Sequence, residues 1–305
     1  MIGRAFRRNI VSTVSTVSTV STVSTVSTVS TVPTASTATA VARGMVICAV
    51  GGTFAILAAV GALSPGASAQ NVQPPDPRFA SLEWTFARVR YDAWTLPPGR
   101  RYDIFDEPWT IDFPAADQNL SRRVKTVTSI QVHDPVVITI EDPNLWNYPW
   151  IYIVEPGNLR LKEAEVPILR EFLLRGGTLT FDDFHGPIEW LNLERELKRV
   201  FPDRKIIDLP PEHPIFHCFY DFSSFPQTPG LGSFLQGRTW EKGGYTAHLR
   251  GIEDDAGRAM VLINWNTDMG DGWEWSNASE FPGYVKYTAQ AYRMQINEII
   301  YALTH

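Results

Sequence analysis

The chain has 305 residues, with 27 basic against 33 acidic side chains and two cysteines. This acidic balance, without any run of Lys or Arg, excludes nucleic acid and anionic membrane surfaces as main partners. With so few cysteines a disulfide framework is excluded too, and a sizeable core must hold the fold together.

Residues 12–32 are seven copies of Ser-Thr-Val. So short and uniform a unit matches no packed repeat, so residues 1–44 read as low-complexity sequence without structure. Residues 45–63 are uncharged and apolar, preceded by Arg43 and followed by Ser64-Pro65-Gly66 and Ala67-Ser68-Ala69. That order describes a secretory signal peptide over 45–69, with Gln70 as the first mature residue. The alternative is an uncleaved membrane anchor, because the apolar run approaches the ~20 residues that span a bilayer. Both readings put the remainder outside the cytoplasmic membrane: periplasmic, secreted or membrane-anchored. Membrane contact is then confined to this segment. Cleavage after Ala69 removes residues 1–69 with four arginines and no acids, leaving 23 basic against 33 acidic residues and all ten tryptophans. Residues 70–79 are a Pro-rich linker, and 80–305 suit a single domain.

WTFARVRYD (84–92) reads as a strand ending on Arg90 and Asp92. After a loop with Pro97, Pro98 and Gly99, Pro114 opens a helix with Ala116, Leu120, Val124 and Val127 on one face. VVITI (136–140) and WIYIVEPG (150–157) are the second and third strands, the latter stopping at Glu155. A helix over 163–175 turns Val166, Leu169 and Leu173 inward, tolerates Pro167 near its start, and ends at Gly176-Gly177. TLTF (178–181) is the fourth strand, followed by a helix from Pro187 carrying Trp190, Leu193, Leu197 and Val200. RKIIDL (204–209) is a candidate fifth strand. Residues 222–244, rich in Gly, Pro, Ser and aromatics, read as an inserted loop. Residues 246–266 form a hairpin turning at Asp255-Ala256-Gly257. A last helix aligns Val285, Ala289, Tyr292, Ile296, Ile299 and Leu303. Alternating strands and helices predict an α/β fold: a mainly parallel sheet with helices on both faces, plus a C-terminal hairpin and helix.

Ligands of such sheets bind beyond the carboxyl ends of the strands. The polar residues at those ends are therefore the candidate ligand-binding set: Arg90, Asp92, Glu155, Asp182, Asp183 and His185. Neighbouring strand residues point opposite ways, so one of Asp182 and Asp183 faces the crevice while the other is free to cap the helix near Pro187. Asp183, His185 and Glu155 are the candidates for acid/base catalysis, if their environments split their pKa values.

RYD (90–92), DFPAADQNL (112–120), DPNLWNYPWIYIVEPG (142–157), LLRGGTLTFDDFHG (173–186), HPIFHCFYDF (213–222) and NTDMGDGWEW (266–275) occur in that order. Together they resemble a bacterial family of exported or membrane-linked proteins known only as domain of unknown function 4159, over about residues 80–305. The resemblance implies a flavodoxin-like fold similar to class I glutamine amidotransferases and trehalose-utilisation (ThuA-like) proteins, and implies no activity. Class I amidotransferases carry a G-x-C-x-G nucleophile elbow after a central strand. The corresponding place here is TFDDFHG, which lacks a cysteine, so Cys-dependent glutamine hydrolysis is not expected at this edge. ThuA-like proteins resemble this segment, with a Gly-Gly strand ending near a histidine.

Cys218, flanked by aromatics, reads as a buried inert thiol. His213 and His217 have the spacing of a helical metal pair, but Pro214 lies between them and the surroundings look extended. Asn266, Asp268, Asp271 and Glu274 offer oxygens for a hard cation at a spacing that is not an EF-hand, and equally suit an Asx-rich turn. Phosphate-loop and G-x-S-x-G patterns are absent. The expected function is a non-enzymatic envelope module binding a small polar ligand, a glycan or a partner protein. The alternative is an acid/base or metal-assisted hydrolase of a glycan or related envelope substrate, with tryptophans of NLWNYPW and GDGWEW stacking on sugar rings. No cofactor is identified, and a divalent cation is the one such acids would accommodate.

Overall fold

The computed structural model describes residues 79, 81–96 and 107–305. The low-complexity stretch, the signal segment, nearly all of the linker and the Pro97-Pro98-Gly99 loop lie outside the described residues. Among those described, no helix is long and apolar enough to cross a membrane.

Seven strands make the central sheet: Ala87–Val89 (β1), Val136–Ile138 (β2), Trp150–Val154 (β3), Thr178–Phe184 (β4), Ile207–Asp208 (β5), His248–Glu253 (β6) and Ala259–Trp265 (β7). Their spatial order is β2-β1-β3-β4-β7-β6-β5. Each of the first four contacts, from β2 to β7, is parallel. Only β6 runs the other way, antiparallel to both neighbours. The predicted hairpin is thus β6–β7, closed by an Asx turn in which Asp254 Oδ1 accepts from the amides of Ala256 and Arg258 at 2.9 Å each. The fifth strand forms one edge of the sheet and β2 the other.

The alternation of side chains along buried strands builds two cores. Trp150, Tyr152 and Val154 of β3 join Leu120, Val124, Trp273, Ile296 and Ile299 on one face. Ile151 and Ile153 join Leu169, Leu173, Leu193 and Leu197 on the other. Helices Ala115–Val127 (α1), Met269–Glu274 (α5) and Val285–Thr304 (α6) cover the first face. Glu165–Leu174 (α2) and Gly186–Val200 (α3) cover the second, and the short Leu231–Leu235 (α4) lies in the segment read as an insertion. All five side chains of β3 are fully buried, at roughly 1.5–3 kcal/mol of hydrophobic stabilisation for each large one. Pro167 is the third residue of α2, where its missing amide costs no hydrogen bond. Gly176, at φ 110°, ends that helix as its turn requires.

Three expectations are corrected. Residues 84–92 do not form one strand: Glu83–Trp84 pairs with Gln131–Val132, and Asp92–Ala93 pairs antiparallel with Leu159–Arg160. The chain leaves the main sheet after Arg90, so Asp92 belongs to a side ribbon. On α6, Val285 and Ala289 are exposed, and the buried stripe runs through Thr288, Ala291, Gln295 and Glu298. An apolar stripe alone does not mark Thr288, Gln295 and Glu298 as buried. Glu298 instead accepts hydrogen bonds at 3.1 Å from Thr180 of β4 and from Gln295. Finally, neither Asp182 nor Asp183 caps α3. That helix starts at Gly186, and Glu189 reaches back to accept from the His185 amide at 2.6 Å.

One charged pair lies inside the fold. Arg88, in the middle of β1, is fully buried and clasps Asp117 of α1 through Nε, at 3.1 and 3.0 Å to the two carboxylate oxygens. Its Nη1 donates to the carbonyls of Trp109 and Ile111, both at 3.1 Å. The arginine thereby fixes the 107–113 segment above the carboxyl end of β1.

Candidate functional site

Backbone conformation points to the site. Among the described residues, five non-glycine residues adopt positive φ: Asp112 (63°), Glu155 (48°), Asp183 (55°), Lys242 (47°) and Asn266 (64°). Each such residue costs of order 1–3 kcal/mol, less for Asp and Asn, and such strain gathers at functional sites. All five meet at the carboxyl edge of the sheet. Glu155 follows β3, Asp183 lies near the end of β4, and Asn266 follows β7.

Asp112, Glu155 and Asp183 line a cleft of about 390 Å³, together with Glu241, Asp268, Asp271 and Arg238. Single carboxylate oxygens of Asp112, Asp183 and Asp268 lie within 4.8 Å of one another, and a second trio of Asp112, Asp271 and Glu274 meets the same limit. Asp268 is the N-cap of α5, its Oδ1 accepting from the Asp271 amide at 2.8 Å. Asp271 accepts in turn from the Leu231 amide at 2.6 Å and from Trp275 Nε1 at 3.0 Å. Asp112 is 9% exposed, and its Oδ2 is buried without a hydrogen-bond partner. That oxygen packs against Gly270, where any side chain would collide with it. Gly230 is similarly hemmed in: a Cβ there would stand 2.6 Å from Glu241 Oε1 and 2.8 Å from Asp268 Oδ2.

Burial and crowding of like charges raise the proton affinity of these acids. Asp112, Asp183 and Asp268 are held well above the usual carboxylate range, first by burial and then by neighbouring carboxylates. Burial, followed by Asp183, pushes Glu155 up to about 8. Glu274 is pushed up to about 7 by burial and Asp271. The nearby cation, Lys242, is held by Glu189 at 2.6 Å and stands 3.9 Å from Glu155. His185 is buried, and burial lowers its pKa. Its Nε2 lies 3.3 Å from Asp183 Oδ1, while its Nδ1 has no partner.

Of the residues proposed from sequence, the cleft brings together Glu155, Asp183, Asp268 and Asp271, with His185 against Asp183 and Glu274 beside Asp271. Asp182 lies beneath, turned toward the first core. It accepts from Tyr152 Oη and the Gly270 amide at 3.0 Å each, and burial pushes its pKa up to about 6. Arg90 and Asp92 do not reach the cleft. Arg90 pairs with Glu107 at 2.8 Å, and Asp92 lies 3.8 Å from Arg160, both on exposed surface. The amide of Asn266 is consumed by the backbone: Oδ1 accepts from Gly186 at 2.9 Å, and Nδ2 donates to Thr246 at 2.7 Å.

His213 and His217 are engaged separately. The first caps a turn by accepting from the Ile215 amide, and the second pairs with Asp221 at 3.1 Å. Cys218 donates to the Asn297 carbonyl at 3.1 Å, and burial pushes the thiol up to about 12. Trp150 and Trp273 are core residues, while Trp146 is exposed at the amino end of β3, over Arg175.

Sequence reasoning missed Asp112, Arg238, Glu241 and Lys242 at the cleft, and Arg88 behind it. A charge in the middle of a strand buried on both faces was the available signal for Arg88, since it must find a partner. Asp112 sits in a connection and carries no comparable local mark.

Fold and cleft together define a mixed α/β protein, mostly parallel in its sheet, with an acid-lined recess at the strands' carboxyl ends. The chain belongs to the family described as Domain of unknown function (DUF4159), whose model matches residues 85–303. No curated protein matches the chain.

Proposed function

We propose that the protein is a binding module whose cleft holds a hard divalent cation, Ca²⁺ or Mg²⁺, on Asp112, Asp183 and Asp268. The observation that carries this reading is the buried, unpartnered Oδ2 of Asp112, on a carboxyl group that has an oxygen within 4.8 Å of those of Asp183 and Asp268. Opposed oxygens around Ca²⁺ stand about 5 Å apart, twice a bond of ~2.3–2.6 Å, which suits the 4.8 Å limit on this trio. The core strand order β2-β1-β3-β4 supports a flavodoxin-like sheet of the amidotransferase and ThuA-like kind, with its ligand outside the carboxyl ends.

The test is a thermal melt of the metal-stripped protein with added Ca²⁺, Mg²⁺ or Mn²⁺. One cation should raise the melting temperature, the added stability being RT ln(1 + [L]/Kd). Asp183→Asn, which keeps a residue tolerant of positive φ, should abolish that rise while leaving the cation-free melt unchanged or higher. A wild type indifferent to every cation would overturn the reading.

A second reading, metal-assisted hydrolysis, is favoured by one observation: Glu155, pushed up to about 8, lines the same cleft and keeps a proton to donate at neutral pH. The apolar 45–63 segment and Ala67-Ser68-Ala69 support an envelope location. N-terminal sequencing of the protein from envelope fractions should then begin at or near Gln70, and intact Ser-Thr-Val repeats there would refute it.

A further inference from the structure

Arg238 is the anomaly of the cleft. It lines the same recess as Asp112, Glu155, Asp183, Glu241, Asp268 and Asp271. A guanidinium free to move would fall onto one of these carboxylates, since opposite charges in contact attract strongly near a protein surface. Yet among the described residues it forms no ion pair. Its Nη2 donates to Gln236 Oε1 at 2.6 Å, its plane lies over the Trp240 ring at 5.4 Å, and its Nε is buried without a partner. Gln236 and Trp240 hold the fork away from the acids and leave a donor unused.

From this arrangement we infer that the cleft recognises a small phosphate-bearing molecule, bound between the cation and Arg238. The inference rests on the cation reading above, because an anion entering an acid-lined recess meets repulsion until a cation covers the carboxylates. Once it does, the recess has two positive poles, the ion on Asp112, Asp183 and Asp268 and the guanidinium that lines the same recess. A phosphate group offers several oxygens, enough to bind the ion through one and the fork through others, and carries more charge than a carboxylate. About 390 Å³ is room for a phosphate ester of small size and too little for a polymer. Ser233 lines the same wall and adds a hydroxyl.

The experiment is calorimetric titration with methyl phosphate, whose calcium and magnesium salts stay dissolved, in the cation that shifts the melt most. Wild type should bind methyl phosphate when loaded and at least tenfold more weakly in EDTA. Acetate should bind at least tenfold more weakly than methyl phosphate. Arg238→Gln should lose at least tenfold in methyl phosphate affinity while keeping the full cation-induced rise in melting temperature, which also shows that it folds. Binding that survives EDTA, or Arg238→Gln behaving as wild type, or acetate binding equally well, would overturn the inference. Loaded wild type that takes up no methyl phosphate would do the same and leave the cation site standing. Absence of any cation-induced shift would remove both.

Discussion

Two buried groups of charges sit side by side in this protein and are built on opposite plans. Arg88 and Asp117 cancel each other, and the arginine's further hydrogen bonds reach the carbonyls of Trp109 and Ile111. Asp112, Asp183 and Asp268 gather one sign only, and the nearby Lys242 is spent on Glu189 and Glu155. Equal burial thus has opposite meanings. The paired group is architecture, worth little net but costly to break. The unpaired group is destabilised as it stands, and needs protons or a cation to become neutral. The two are linked, because Arg88 secures the segment that delivers Asp112.

The largest effect should come from breaking the cancelled pair. Asp117→Ala leaves the Arg88 charge buried and uncompensated, at a cost of about 3–5 kcal/mol. Denaturant unfolding would show it, and a loss below about 1 kcal/mol would mean that the contrast drawn above is false. A smaller effect should follow from pH and belongs to the other group. Burial and neighbouring carboxylates push Glu155 and Glu274 up to about 8 and about 7 in the fold, above their unfolded values. Between those ranges the folded chain holds more protons than the unfolded one, so stability falls as pH rises. The metal-free protein should therefore melt several degrees lower at pH 8.5 than at pH 5. Saturating cation should stabilise more at pH 8.5 than at pH 5 and so flatten the trend. Asp182 and Glu298, raised to about 6 and about 8 by burial, lie below the cleft and will leave a residual slope. A melting temperature that rises over this range in the absence of metal would count against a crowded acidic cluster.

Much of the frame was legible beforehand because periodicity and punctuation are local. Pro114, Gly176 and the Asp255-Ala256-Gly257 turn mark element boundaries, and the apolar runs at 150–154 and 178–181 mark central strands. From those came the functional edge, and with it Glu155, Asp183 and His185. Convergence was not legible. Asp112 reaches the cleft only because Arg88 holds its loop, and Arg238 and Lys242 arrive on a segment read merely as an insertion. Arg90 and Asp92 fitted the same rule as Glu155 but left the sheet by a different route, into a ribbon with Leu159–Arg160. Chain order told which residues end strands, and only packing told which way they turn.

The sheet's two margins have a consequence for colloidal behaviour. Exposed strand edges are templates for uncontrolled pairing between molecules. Here one margin, β5, has two residues, and its Asp208 is tied to Arg250 at 3.0 Å and His248 at 3.1 Å. The other, β2, has three, with Pro135 directly before it. A second molecule docking edge to edge would find few free amides at either end, and a charge or a proline beside them. The long, continuous, aggregation-prone strands β3, β4 and β7 are all interior, so the segments that could seed cross-β stacking are the ones the fold never shows to solvent.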